Sequence, residues 1–261
     1  MIRIDDTRCV RCGLCARVCP LHCFHVTKEG ISIRHENYCM HCGHCAAACP
    51  SAAVWLDGTD PDTLSASAAL PDAAALANLI KSRRSVREFK EDAVSGDLLR
   101  EALDTARYAP TGKNLENVSW LVLEGRDTLR KVADHVIELF RKDPRLAGLV
   151  RSHEQGADPI FRGAPCAVFA CASGEYDLDI VNCSIAVSAL DLLLPTMGLG
   201  GCWAGYVMRA AALDTGVREA MGPEQGLRPL AGLMVGVPAV SYRRIPVRRP
   251  LRVRVVKDEQ A

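Results

Sequence analysis

Two stretches of this chain repeat one cysteine pattern, C-x-x-C-x-x-C-x-x-x-C-P. The first places Cys9, Cys12, Cys15 and Cys19 before Pro20, and the second places Cys39, Cys42, Cys45 and Cys49 before Pro50. A thiolate at each of these positions can hold iron in a 4Fe–4S cubane, so two copies call for two cubanes. Tetrahedral zinc also uses C-x-x-C pairs, but a run of three cysteines at a spacing of three is not the usual zinc layout. A chain with such ligands moves electrons singly.

The repeat extends beyond the ligands. Phe24 and Val26 recur as Val54 and Leu56, and short β-like runs, Ile2 with Ile4 and Ile31 with Ile33, precede each cysteine block. Residues 1–58 resemble the bacterial two-cluster ferredoxins. That resemblance implies an exchange of the fourth ligand: one cluster on Cys9, Cys12, Cys15 and Cys49, the other on Cys39, Cys42, Cys45 and Cys19. Cys23 breaks the symmetry, since Ala53 is its counterpart, and is read as a packed thiol or a redox-labile one. His22, His25, His41 and His44 are read as flanking groups rather than ligands.

The whole chain has 261 residues, thirteen cysteines and a formal net charge of +1. That balance gives no global field for nucleic acid or a membrane surface. No apolar h-region follows Met1, and the longest apolar stretch, Ile180 to Leu199, is interrupted by Asn182, Asp191 and Pro195. Neither a secretory signal nor a membrane span is expected. Cysteines used this way fit metal ligation in a cytoplasmic chain better than disulfides.

Residues 59–72 read as a linker, and 73–261 as a second domain. Asp72 is expected to cap a helix bearing Leu76, Leu79 and Ile80, and a second helix runs from Asp97 to about Arg107 with Ser95 near its cap. Val118–Leu123, Ala167–Ala172 and Leu230–Val237 read as strands, and Asp127–Phe140 as a helix. Ile180–Leu194 reads as a helix apolar nearly all round, buried in the domain or at a subunit interface. Mixed helices and strands give an α+β or α/β class. Cys166, Cys171, Cys183 and Cys202 lack ligand spacing and read as core thiols.

Three segments carry chemistry. Arg83, Arg84, Ser85 and Arg87 could clamp a phosphate through forked guanidinium hydrogen bonds, or could be a solvated helix end. Ala109-Pro110-Thr111-Gly112-Lys113-Asn114 is a polar turn. Gly198 to Gly205 reads as a glycine-rich loop able to turn backbone amides toward a flat ligand or an anion, but it is not a dinucleotide fingerprint.

In this order and spacing the three segments resemble the FMN-dependent nitroreductase family over roughly residues 73–250. The resemblance implies an α+β FMN domain. It implies that Arg83, Arg84, Ser85 and Arg87 hold the FMN phosphate and ribityl chain, and that Pro110, Thr111 and Asn114 lie on the cofactor. Gly201, Trp203, Ala204 and Gly205 would run beside the reactive edge of the flavin, with Arg248 and Arg249 as a late phosphate contact. The family commonly carries Asn-x-Gln-Pro where this chain reads Asn114-Leu115-Glu116-Asn117. Glu116 is therefore the candidate acid for tuning the flavin or feeding a proton to substrate; the alternative is a solvent-facing carboxylate. The arginine-rich tail, Arg243 to Arg254, could be a nucleic-acid arm, but the whole-chain charge gives that no support. The resemblance implies an arm wrapped around a second subunit of a homodimer.

The expected function is an iron–sulfur flavoprotein oxidoreductase. Electrons pass through two 4Fe–4S clusters to FMN and on to a nitroaromatic, a quinone or an activated alkene. Ferredoxin or NAD(P)H is the expected donor, although no dedicated nicotinamide motif is present. Two other readings stand beside this one: an electron-transfer subunit of a larger redox complex, and a protein that handles flavin as cargo or substrate.

Overall fold

A computed structural model describes residues 1–257; residues 258–261 of the expected second domain lie outside the described residues. The chain divides into two compact units. The first is Met1–Pro71 together with Ala109–Val118; the second is Asp72–Tyr108 together with the remainder from Ser119.

The first unit contains β1 (Ile2–Ile4), α1 (Leu14–Val18), β2 (Phe24–Val26), β3 (Ile31–Ile33), α2 (His44–Ala47) and β4 (Val54–Leu56). β1 pairs antiparallel with β4, setting Ile2 against Leu56, and β2 pairs antiparallel with β3, setting Phe24 against Ile33. Each ribbon therefore takes one strand from each sequence repeat, so the two halves interlock. Backbone geometry repeats with the sequence. Left-handed φ occurs at Arg11 and His41, at Gly13 and Gly43, and at His22 and Ala52. Gly13 and Gly43 occupy the N-cap positions of α1 and α2. The buried apolar side chains are few, chiefly Ile2, Phe24 and Val54 beside Cys15, Cys23 and Cys45. A unit with so little core commonly depends on metal for stability.

The second unit contains α3 (Ala73–Ser82), α4 (Gly96–Ala106), β5 (Ser119–Glu124), α5 (Arg126–Phe140), α6 (Ala147–Glu154), β6 (Cys166–Ala172), α7 (Asp179–Leu193), β7 (Gly200–Trp203), α8 (Gly205–Leu213), α9 (Thr215–Met221) and β8 (Arg228–Gly236). The expected caps are present. Asp72 accepts the Ala75 amide at 2.8 Å, and Ser95 accepts that of Leu98 at 3.5 Å. Four strands form one sheet in the order β5-β6-β8-β7, with every neighbouring pair antiparallel. β6 is buried along its whole length because helices cover both faces of the sheet. Ala167, Phe169 and Cys171 share a core with α5, α8 and α9, while α7 lies against β6 and β8.

Two features differ from the sequence reading. The glycine-rich segment is not a loop throughout. Gly200–Trp203 is an edge strand paired with β8, where the missing side chains admit close neighbours. A Cβ on Gly200 would fall 3.0 Å from Pro238 Cγ and 3.1 Å from Val86 Cβ. The second difference is in α7, which is buried on one face through Cys183, Ala186, Val187 and Leu190. It leaves Ile180, Val181 and Ile185 exposed on the other. Leu76 and Ile80 of α3 are exposed too. By length and composition alone, Asp179–Met197 could cross a membrane. Its mid-helix acid, Asp191, is instead ion-paired with Arg83 at 3.1 Å.

Candidate redox and flavin sites

The eight motif cysteines surround two separate cavities. One is lined by Cys9, Cys12, Cys15 and Cys49. The other is lined by Cys39, Cys42, Cys45 and Cys19. The fourth cysteine of each run thus faces the other run's cavity, as the interlocked ribbons require. All thirteen cysteines are free thiols. Among the described residues no three His, Cys, Asp or Glu side chains converge closely enough to hold a single metal ion. Four thiols spread around a cavity suit a cubane, whose irons lie at its corners, better than a point charge.

Backbone amides are aimed at sulfurs of the motif cysteines. Cys23 N–H donates to Cys19 Sγ at 3.4 Å, His41 N–H to Cys39 Sγ at 3.4 Å and Ala53 N–H to Cys49 Sγ at 3.2 Å. Such bonds stabilise charge on the sulfurs and are one lever on cluster potential. Cys23 is buried and lines the second cavity without belonging to either run.

The turn of the second motif belongs to this same unit. Asn114 Nδ2 donates to the backbone carbonyls of Met40 and His41, each at 3.4 Å, and these two residues lie between the motif cysteines Cys39 and Cys42. Asn114 also donates to Glu116 Oε1 at 2.9 Å, and the Glu116 amide donates to Thr111 Oγ1 at 3.0 Å. Lys113, Asn114 and Glu116 all adopt left-handed backbone. That conformation costs a non-glycine residue roughly 1 kcal/mol each, so the turn is held by its side-chain bonds. Glu116 is exposed, as is Pro110.

The phosphate-clamp segment belongs to the second unit. Arg83 pairs with the buried Asp191 of α7. Burial raises the Asp191 carboxyl above its ordinary range, and Arg83 partly offsets that. Arg84 donates from Nη1 to the Lys81 carbonyl at 2.8 Å and also to that of Arg83, while its Nε is buried without a partner. An orphaned guanidinium donor is what an added anion would satisfy. Val86 N–H donates to the Gly201 carbonyl at 3.0 Å, which fastens the segment to β7. Tyr242 Oη, at the start of the tail, donates to the Ser85 carbonyl at 3.4 Å.

The two amides favoured for the flavin edge differ. The Ala204 N–H is taken by the Gly232 carbonyl at 2.9 Å, whereas Gly205 opens α8, where helix amides lack internal partners. Arg87, Trp203 and Gly205 line one cavity. Arg248 and Arg249 lie exposed in the irregular tail. The thiols of Cys166, Cys171 and Cys183 are pushed up to about 12 by burial, which keeps them protonated and inert. Three residues of this neighbourhood escaped sequence reasoning: Asp191, Arg162 and Arg209. Only Asp191 left a signal, as an acid deep in an apolar helix, where a cation is needed to accompany it.

Comparison with known proteins agrees with this geometry. The nitroreductase family model matches residues 80–237, and a 4Fe–4S dicluster domain model matches residues 8–53. The chain belongs to the nitroreductase family. It carries a 4Fe–4S dicluster domain at its N-terminal end. A protein named NADH dehydrogenase/NAD(P)H nitroreductase from Methanothermobacter thermautotrophicus is 24% identical over 164 residues, covering 61% of this chain and 75% of that one. A nitroreductase with bound FMN from Bacteroides fragilis superimposes with a TM-score of 0.60 at 20% identity, covering 70% of this chain and 98% of that structure. One from Desulfitobacterium hafniense, also with bound FMN, gives 0.58 at 22% identity, with coverage of 70% and 98%. At such identities the structural likeness speaks for the fold.

Proposed function

We propose that this protein is an iron–sulfur flavoprotein oxidoreductase, in which two 4Fe–4S clusters and FMN together carry electrons to a small organic acceptor. The domain plan is a ferredoxin domain over 1–58, a linker over 59–72 and a flavin domain from 73. The observation that carries this reading is the company kept by the turn at 109–118. Its ends continue into α4 and β5 of the flavin unit, yet it folds in the ferredoxin unit and bonds to the carbonyls between two ligands of the second cluster.

FMN exchanges electrons singly or in pairs, so it can join single-electron carriers to a two-electron acceptor. The chain's own residues would hold it. Arg83, Arg84, Ser85 and Arg87 fit the phosphate and ribityl chain, and the orphaned Nε of Arg84 supplies an unmet donor there. Gly205 offers a helix-terminal amide, Gly201 and Trp203 lie beside it on β7, and Pro110, Thr111 and Asn114 form the turn. Arg248 and Arg249 extend from a tail whose Val247, Leu251 and Val253 are fully or largely exposed. Exposed apolar residues on that tail, on α3 and on α7 favour a homodimer. Glu116 is the candidate proton source for the acceptor; Glu116→Gln should move the pH–rate profile, and an unchanged profile removes that role.

The test is anaerobic purification followed by iron, sulfide and flavin analysis. The reading predicts about eight iron atoms and eight sulfides per chain with one FMN. Zinc in place of iron, or no retained flavin, refutes it.

A further inference from the structure

The residues assigned to FMN leave two arginines unused in the cavity that Arg87 and Trp203 line. The cavity has a volume of about 280 Å³, and Arg162, Arg209 and Tyr206 complete its functional lining. Among the described residues no aspartate or glutamate lines it. Arg209 has a counter-ion outside, Asp143 at 3.2 Å, but Asp143 is already forked to Arg145 at 2.9 Å, so one carboxylate serves two guanidiniums. Among the described residues Arg87 donates only to the Ser85 carbonyl. The local balance is an excess of positive charge.

Arg162 is placed by construction. Its backbone is left-handed at φ 58, and Gly163 follows at φ 70. The Asp158 carboxylate holds this turn by accepting the amides of Ile160, Phe161 and Gly163 at 3.2, 2.8 and 2.9 Å. A backbone conformation that arginine ordinarily avoids is held there by the turn's bonds, and the Arg162 side chain is exposed at the cavity. Beside the arginines, Trp203 is 40% exposed and offers an indole surface. A flat ring can stack there while guanidiniums fork onto an attached carboxylate.

We propose that this cavity selects acceptors whose conjugated ring carries a carboxylate, with Arg162 and Arg209 binding the carboxylate and Trp203 and Tyr206 the ring. The inference rests on the proposed function of a flavin reductase whose reactive edge runs beside Trp203 and Gly205, and it names the acceptor's chemical class. Reduction of such an acceptor, for instance a nitro group to nitroso, takes two electrons and two protons and releases water.

The full chain with its cofactors, oxidised, is titrated with benzoate and with benzamide by calorimetry. Benzoate should bind about fivefold or more tightly, less so at high salt. The preference should vanish in Arg162→Gln and return in part in Arg162→Lys. With dithionite as electron source, the kcat/KM ratio of 4-nitrobenzoate to 4-nitrobenzamide should follow the same order across the three proteins. Equal or undetectable affinity for both probes overturns the proposal. So does loss of FMN from Arg162→Gln, which would make Arg162 a cofactor ligand. Selective benzoate binding by a protein that reduces neither nitro compound keeps the anion site and removes the reductase reading instead.

Discussion

Replacing Gly200 by alanine tests how the phosphate-clamp segment is held. The backbone of Gly200 has negative or extended φ, so alanine is conformationally acceptable and the effect is steric. The new methyl would fall well inside contact distance of Val86 Cγ2, 3.1 Å from Val86 Cβ and 3.0 Å from Pro238 Cγ, whereas ordinary contact begins near 3.4 Å. Val86 is buried, with no space to retreat, and its N–H is bonded to Gly201. Overpacking of this kind costs about 1–3 kcal/mol, and a loosened backbone bond adds about 1 kcal/mol. The less flexible unfolded chain returns about 0.4–1 kcal/mol. A net loss of about 2 kcal/mol should lower the unfolding temperature by about 4–8 °C, measured by calorimetry under anaerobic conditions. FMN retention should fall with it, because Arg84, Ser85 and Arg87 flank Val86. Val86→Ala removes the obstructing methyl, so the double variant should be more stable than the summed single losses by about 1–2 kcal/mol. A Gly200→Ala protein as stable as the parent, or a strictly additive double variant, would refute the packing argument.

Three further outcomes follow from the same structure. Cys49→Ser should abolish the cluster shared with Cys9, Cys12 and Cys15 and leave the second intact, so iron falls from about eight to about four per chain; loss of the other cluster's signal instead would contradict the ligand exchange. Asn114→Ala should speed amide hydrogen exchange across 111–116 and slow flavin reduction from the clusters; unchanged exchange would show that the carbonyl contacts do not hold the turn. The Arg145 hydrogen bonds, with help from Arg209, hold the Asp143 carboxyl at about 2. A depressed carboxyl stabilises the fold above its unfolded pKa and loses that contribution as pH falls through the folded value. The stability gap between the parent and Asp143→Asn should therefore be full at about pH 5 and close toward about pH 2, as read by urea unfolding at each pH.

Much of the fold was legible because its determinants are local. The cysteine runs, the caps at Asp72 and Ser95, and the uniform apolarity of β6 each declare themselves within a few residues. β7 was hidden because glycine carries no strand signal; only the approach of Val86 and Pro238, remote in sequence, explains why glycine is needed there. The placement of 109–118 in the ferredoxin unit depends on Asn114 meeting carbonyls more than seventy residues away, which no periodicity encodes. Arg162 was equally silent, since its backbone position comes from a turn knotted by Asp158. The family was legible from the three segments taken as a set, but not the local geometry of those segments. Sequence could not show that the Ala204 amide is spent on Gly232 while that of Gly205 opens a helix.

The most direct test of the central claim follows electrons inside one molecule. With the clusters reduced by a flash-generated donor under anaerobic conditions, flavin absorbance near 450 nm should bleach as cluster absorbance recovers, at a rate independent of protein concentration. Clusters that stay reduced beside an oxidised flavin, or a rate that rises with protein concentration, would contradict it.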